Sequence, residues 1–164
     1  MHYKAIIFSI SACLLLGLLP SKVTASEYDI DGNGEEDALT DGLLFLRHEF
    51  GLTGTTLTTG ALASDATANN PESIANYIDQ RTTVFDLDGN GSTDALTDGL
   101  LLLRHLFGLS GDAMTNGVIG LDATRINYEQ IKSHIDTERN PSTPGNKRPF
   151  FTSSSSFDVE EHQT

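Results

Sequence analysis

Residues 29–48 read DIDGNGEEDALTDGLLFLRH, and residues 86–105 read DLDGNGSTDALTDGLLLLRH. The same acidic, glycine-spaced stretch is written twice, each time running into a leucine block. A shift of 57 residues aligns 29–79 with 86–136 without a gap, and 30 of the 51 pairs are identical. The register carries FGL (Phe50-Gly51-Leu52 onto Phe107-Gly108-Leu109) and DAT (Asp65-Ala66-Thr67 onto Asp122-Ala123-Thr124). It also carries Asn70, Glu72, Ile74 and Ile78 onto Asn127, Glu129, Ile131 and Ile135. A whole unit is duplicated, so the repeat governs the fold expected of the chain.

Within each unit, Leu39, Leu43, Leu46 and Phe50 recur at helical spacing and define an inward face that Leu44 and Phe45 widen. Gly51 stands where a helix stop belongs. Leu96, Leu100, Leu103, Phe107 and Gly108 repeat the pattern. A polar connection, 52–69, follows. Asn70 is then a candidate N-cap, with Pro71 at the first helical position and Glu72 behind it. In the second unit Asn127 takes that place, and Gln130 is spaced to close a capping box. Ile74, Tyr77 and Ile78, or Ile131, His134 and Ile135, supply the inward face of a second helix. Such short helices do not persist alone and must pack on the leucine-rich ones.

The ends of the chain read differently. Lys4, an apolar run over 5–19 and the small residues Val23-Thr24-Ala25 match a secretory signal peptide, 1–25, cut between Ala25 and Ser26. The apolar run is short for a bilayer span. Lipid attachment at Cys13 is a rival reading, but it would strand Leu14 to Leu19 in the mature protein. Cleavage removes the only cysteine and leaves 139 residues, with eight Lys/Arg against 23 Asp/Glu, a net charge of −15. That balance opposes binding to nucleic acid or to anionic membrane surfaces and suits a chain that holds cations. The expected location is secreted, extracellular or periplasmic. Beyond Thr137, Pro, Ser and Gly dominate, so 138–164 reads as a disordered tail. The tail's Lys147-Arg148-Pro149-Phe150-Phe151 patch is a candidate docking segment.

The acidic loops carry the chemistry. In Asp29-x-Asp31-x-Asn33-Gly34, alternate side chains bring three oxygen donors to one point, and the glycine allows the sharp turn that closes the loop. Oxygen-only ligands with several carboxylates suit a hard cation of flexible coordination, Ca²⁺, better than Mg²⁺ with its tight octahedron. With Asp29 as position 1 of an EF-hand loop, Asp37 is position 9, and Glu35 at position 7 would offer its backbone carbonyl, as would Ser92. At position 12, where that loop has its bidentate acid, stand Thr40 and Thr97; Asp41 and Asp98 come one residue later. Either the loop is wider by one residue or the helix begins one residue late. Position 8, usually apolar, is Glu36 or Thr93, so strand-like pairing between the loops is not expected. Read as plain polar turns, these acids would merely cap a helix. Two copies with Asp at positions 1, 3, 9 and 13 are better explained by a cation that offsets the repulsion.

These stretches, 29–50 and 86–107, resemble the calcium-binding repeats of type I dockerin domains, which pair an EF-hand-like loop with only the exiting helix and carry the motif twice. The resemblance implies ligands at Asp29, Asp31, Asn33, Asp37 and the displaced Asp41, with Glu35 contributing through its backbone. In the second copy it implies Asp86, Asp88, Asn90, Asp94 and Asp98, with Ser92 contributing likewise. It implies two Ca²⁺ ions and, as an alternative function, docking onto a cohesin-like partner in extracellular polysaccharide degradation. The chain departs from the family in its 57-residue period, in the extra helix per unit, and in Ala38-Leu39 and Ala95-Leu96, where the recognition positions often carry hydroxyls.

Other candidates are plainer. Nine residues on from Leu39, His48 should face outward, as should His105. His134, with Tyr77 as its counterpart, reads as a space-filler, and Asp65 and Asp122 as turn residues at the margin of the site. No His/Cys cluster suits zinc, and no nucleophile set, phosphate loop or catalytic pair can be named. The expectation is a mainly α protein and not an enzyme: two tandem repeats, 26–80 and 81–137, each calcium loop–helix–turn–helix, packed as one small domain.

Overall fold

In the computed structural model residues 26–139 are described; the expected signal segment and residues 140–164 of the expected tail lie outside them. The described residues are mainly helical, with no strand among them. Each leucine-rich helix begins in a π-helical turn. Residues Ala38–Gly42 form the first, continuing into α1 (Leu43–Glu49), and Ala95–Gly99 form the second, continuing into α5 (Leu100–Leu106). Their signature is an i→i+5 bond: Gly42 N–H donates to Asp37 O at 3.0 Å and Gly99 N–H to Asp94 O at 2.9 Å. Such a turn holds one residue more than an α turn, so it rotates everything before it relative to everything after.

The inward face is not the expected one. Leu44 and Phe45 are fully buried, as are Leu101 and Leu102, whereas Leu39, Phe50, Leu96 and Phe107 are 66%, 56%, 64% and 55% exposed. The expected stripe through Leu39 and Phe50 took the wrong phase of a segment that is apolar throughout 43–46: at 3.6 residues per turn Phe50 lies about 120–140° round the helix from Leu44 and Phe45. With the phase moved, His48 and His105 do not face outward but are half-buried.

The helix stop falls where the glycine places it. Gly51 and Gly108 take φ of +76° and +77°. The amides of Gly51 and Leu52 donate to the carbonyls of His48 and Arg47, and those of Gly108 and Leu109 to His105 and Arg104. This is a Schellman motif, and it satisfies carbonyls that the helix end would otherwise orphan. The connection beyond is not wholly irregular: it contains one-turn helices, α2 (Thr55–Thr58) and α6 (Asp112–Thr115). Arg47 donates to the carbonyls of Leu57 (3.0 Å) and Thr59 (2.9 Å), and Arg104 to those of Met114 (3.1 Å) and Asn116 (3.0 Å).

Asn70 caps α3 (Pro71–Asp79), its side chain accepting from Ser73 N–H at 2.9 Å. Asn127 does the same for α7 (Tyr128–Arg139), accepting from Gln130 N–H at 3.0 Å. Gln130 reaches back to the amide of Ile126 rather than to that of the cap residue. A further turn, α4 (Thr82–Phe85), leads into the second acidic loop. α7 continues two residues past the expected start of the tail: Glu138 is buried, and the Arg139 guanidinium grips both carboxylate oxygens of Glu36.

One apolar core joins the elements. Phe45 stacks on Phe85 with ring centroids 4.4 Å apart, and Tyr28 meets Phe85 edge-on. Ile30, Leu87, Leu57, Met114, Ile74, Ile78, Ile131 and Ile135 close around them. A Cβ on Gly42 would lie 3.0 Å from Leu103 Cδ1, and one on Gly99 2.8 Å from Leu46 Cδ1. The start of each leucine-rich helix therefore rests on the later turns of the other, which sets the two acidic loops at fixed positions on a shared core.

The exposures separate leucines that spacing alone had grouped. Leu44→Ala should cost about 2–5 kcal/mol, and Leu39→Ala should stay within about 0.5 kcal/mol of the parent. Urea unfolding of both variants checks this; equal losses would restore the stripe through Leu39.

Candidate metal centres

Asp29, Asp31 and Asp41 bring one carboxylate oxygen each within 4.8 Å of one another, and Asp86, Asp88 and Asp98 do the same. Asp31, Asp41, Asp88 and Asp98 are fully buried, and Asp29 is 6% exposed. These triads could hold a metal ion.

The displaced acid is brought in by the π turn. Asp41 lies within it, and its two oxygens collect the loop's donors. Oδ1 accepts from the amides of Ile30 (2.7 Å) and Asp31 (3.1 Å). Oδ2 accepts from the amide of Asp37 (2.8 Å) and the hydroxyl of Thr40 (3.2 Å). Asp98 repeats the set with Leu87 (2.7 Å), Asp88 (3.2 Å), Asp94 (3.1 Å) and the Thr97 hydroxyl (3.0 Å). Four donors nearly fill the acceptor sites of each of these carboxylates, so Asp41 and Asp98, expected as ligands, border the candidate cation position more than they supply it. Asp41 and Asp98 therefore clamp loop entry to helix start, and Thr40 and Thr97, which replace the acid at position 12, serve that clamp.

Asp31 links outward as well as inward. Its Oδ1 accepts from Asn33 N–H at 3.2 Å and its Oδ2 from Ala63 N–H at 2.8 Å. Asp88 likewise accepts from Asn90 N–H at 3.1 Å and Gly120 N–H at 2.7 Å. Asn33 and Asn90 turn their side-chain oxygens to the amides of Glu35 and Ser92, at 2.9 and 2.8 Å. Gly34 and Gly91, with φ of +95° and +91°, make the bend that residues with a Cβ resist. Glu35, Ser92, Asp37 and Asp94 are exposed. Asp37 and Asp94 stand outside the carboxylate clusters and enter the site through their backbone amides.

Asp65 and Asp122 are both exposed. Their neighbours do the bracing: Thr67 Oγ1 donates to Gly32 O at 2.7 Å, and Thr124 Oγ1 to Gly89 O at 2.9 Å. The amide of Ala68 donates to Asp31 O, and the amides of Thr124 and Arg125 to Asp88 O. The shared DAT was visible as a signal in the sequence, but its threonine carries the contact.

Glu36, at the loop position usually apolar, accepts from the Ser26 hydroxyl and pairs with Arg139. Burial pushes its pKa up, but the hydrogen bonds from Arg139 and Ser26 outweigh burial, and the net shift is downward. Arg139 also donates to His105 Nε2 at 3.3 Å; burial first, then this charge, lowers the His105 pKa. His48 instead sits between Glu49 and Asp79, and its hydrogen bond to Glu49 raises its pKa. His134, lowered by burial, bonds the Val84 carbonyl.

The triads are electrostatically uncomfortable. Burial raises the pKa of Asp29 and of Asp41. Burial, with the neighbouring Asp88 charge adding to it, raises Asp98 to about 6. In the first triad one acceptor is left over: Asp29 Oδ1 is buried and takes no hydrogen bond of good geometry, although the amides of Gly32 and Asn33 come close enough to pull the carboxyl's pKa down against the larger effect of burial. An ionised oxygen in that state is costly unless a cation meets it. Comparison with family models, with curated proteins and with solved structures gave no match for this chain.

Because the folded pKa of Asp98 lies above its unfolded value, this group favours folding most at pH below that unfolded value, and the gain is lost as pH rises through about 6. In chelator, Asp98→Asn removes that share. From pH 7 to pH 5 the parent's melting temperature should therefore move in the stabilising direction relative to the variant's. Identical pH dependence in the two would remove the strain assigned to this carboxylate.

Proposed function

We propose that each acidic loop holds one Ca²⁺ and that the protein is a secreted, non-catalytic, dockerin-like calcium-binding module. On this reading the chain is two tandem calcium loop–helix–turn–helix repeats whose leucine-rich helices share a core, with bound ions stabilising an interaction domain. The observation that carries it is the buried, unpartnered Asp29 Oδ1 beside two further buried carboxylates. Oxygen-only donors on a glycine-bent loop favour Ca²⁺ over Mg²⁺, which keeps its water and asks for stricter geometry. Metal affinity would then appear as folding free energy. Extracellular sites of this kind work with dissociation constants on the order of 10⁻⁴–10⁻³ M.

A cation at a hundred times its dissociation constant adds about 2.7 kcal/mol per site. Asp31→Ala and Asp88→Ala should each lose one site's share of the stabilisation between EDTA and saturating Ca²⁺, with Mg²⁺ giving little. Melts followed by circular dichroism in the three conditions check this. The reading fails if both variants respond to Ca²⁺ as the parent does.

A second reading, a dockerin-type adaptor that docks onto a cohesin-like partner, has one feature in its favour. Leu39 and Leu96, at the position where the family reads its partner, are well exposed. A calcium-containing pull-down with a cohesin module should retain the parent and release Leu39→Glu/Leu96→Glu; no retention of the parent discards this reading.

A further inference from the structure

Among the positions at which the two units differ, which include Glu35/Ser92 and Glu36/Thr93 in the loops, one puts a guanidinium against the second loop. Where the first unit has Ala68, the second has Arg125. Its guanidinium lies under the second loop: Nε donates to Leu87 O at 2.7 Å, and a terminal nitrogen donates to Asp86 O. That nitrogen is 3.9 Å from Asp86 Oδ1. A Cβ on Gly89 would lie 2.9 Å from its Cζ, so the group presses on the loop backbone itself.

The first carboxylates of the loops also differ. Asp29 Oδ1 is buried and unpartnered. Asp86 Oδ1 accepts from the amides of Gly89 (2.7 Å) and Asn90 (3.1 Å), and its residue is only half-buried. The second loop thus already has a resident positive charge and a satisfied first ligand. Arg remains charged at any working pH.

Resting on the calcium reading above, we propose that the loops are unequal cation sites: the first is tight and filled first, and Arg125 holds the second to weaker binding by repelling the incoming ion. At a separation of some 6–8 Å with screening as complete as in bulk water, the repulsion between a single and a double charge already corresponds to a weakening of about tenfold, a lower bound for a partly buried pair. Salt should narrow the gap, because partly exposed charges are screened.

Calorimetric titration of Ca²⁺ into the chelator-treated full chain tests this with four variants. The parent should show two steps separated by about tenfold or more. Asp31→Asn should leave the weaker step and Asp88→Asn the tighter one. Arg125→Gln, which keeps a hydrogen-bond donor but not the charge, should strengthen the weaker step by about tenfold and leave the tighter unchanged. Should Arg125→Gln fold poorly, Ala68→Arg supplies the converse, weakening the tighter step by a similar factor. Two equal steps in the parent, or a weaker step that neither charge change moves, overturns the inequality while calcium binding stands. No binding by the parent at millimolar Ca²⁺ overturns the calcium reading and this inference together.

Discussion

A single carboxylate in each acidic loop organises the rest of the structure. Asp41 accepts from three backbone amides and a threonine hydroxyl, drawn from both ends of its loop, and Asp98 does the same. To reach those donors the acid must sit inside a π turn at the head of the leucine-rich helix. The turn is therefore not an ornament of the helix start. It lets an acid one residue beyond the usual loop position point back into the loop, and it fixes where the helix face begins.

Two consequences run in opposite directions along the chain. Downstream, α1 carries Leu44 and Phe45 into the core and leaves Phe50 in solvent, with Leu39 exposed in the π turn itself. Upstream, it gathers three carboxylates into a buried cluster whose mutual repulsion the apolar core must tolerate. The core is tied to both loops: Tyr28 and Ile30 flank the first acid, Phe85 and Leu87 the second, and all four side chains are buried. Ordering of the loops and packing of the core are thus one event, which is why a cation bound in the loops would register as stability of the whole.

Much of this was legible in residues with local, steric roles. Asn70, Pro71, Gly51 and Gly108 act where their chemistry says they should, because caps and stops depend on neighbours a few positions away. The meeting of Asp29 and Asp31 was likewise readable from spacing; Asp41 was expected beside them through the resemblance to dockerin repeats, and Asp37, expected with them, stands apart. Helix phase was not, since residues 43–46 are all apolar and spacing alone could not choose which of them faces inward. Contacts between distant segments left little signal either. Thr67 on Gly32, Arg139 on Glu36 and Arg125 under the second loop join residues 35 to 103 positions apart. Arg125 was one mismatch among 21 in the 51 aligned pairs, with nothing to single it out.

The central claim is that the buried triads are cation sites rather than helix caps. Its most direct test is anomalous diffraction from crystals grown in millimolar Ca²⁺. The account predicts a peak in each loop, with Asp29 Oδ1 at roughly 2.3–2.6 Å from the first ion. Loops without a peak, or peaks only on exposed carboxylates such as Asp65 and Asp122, would contradict it.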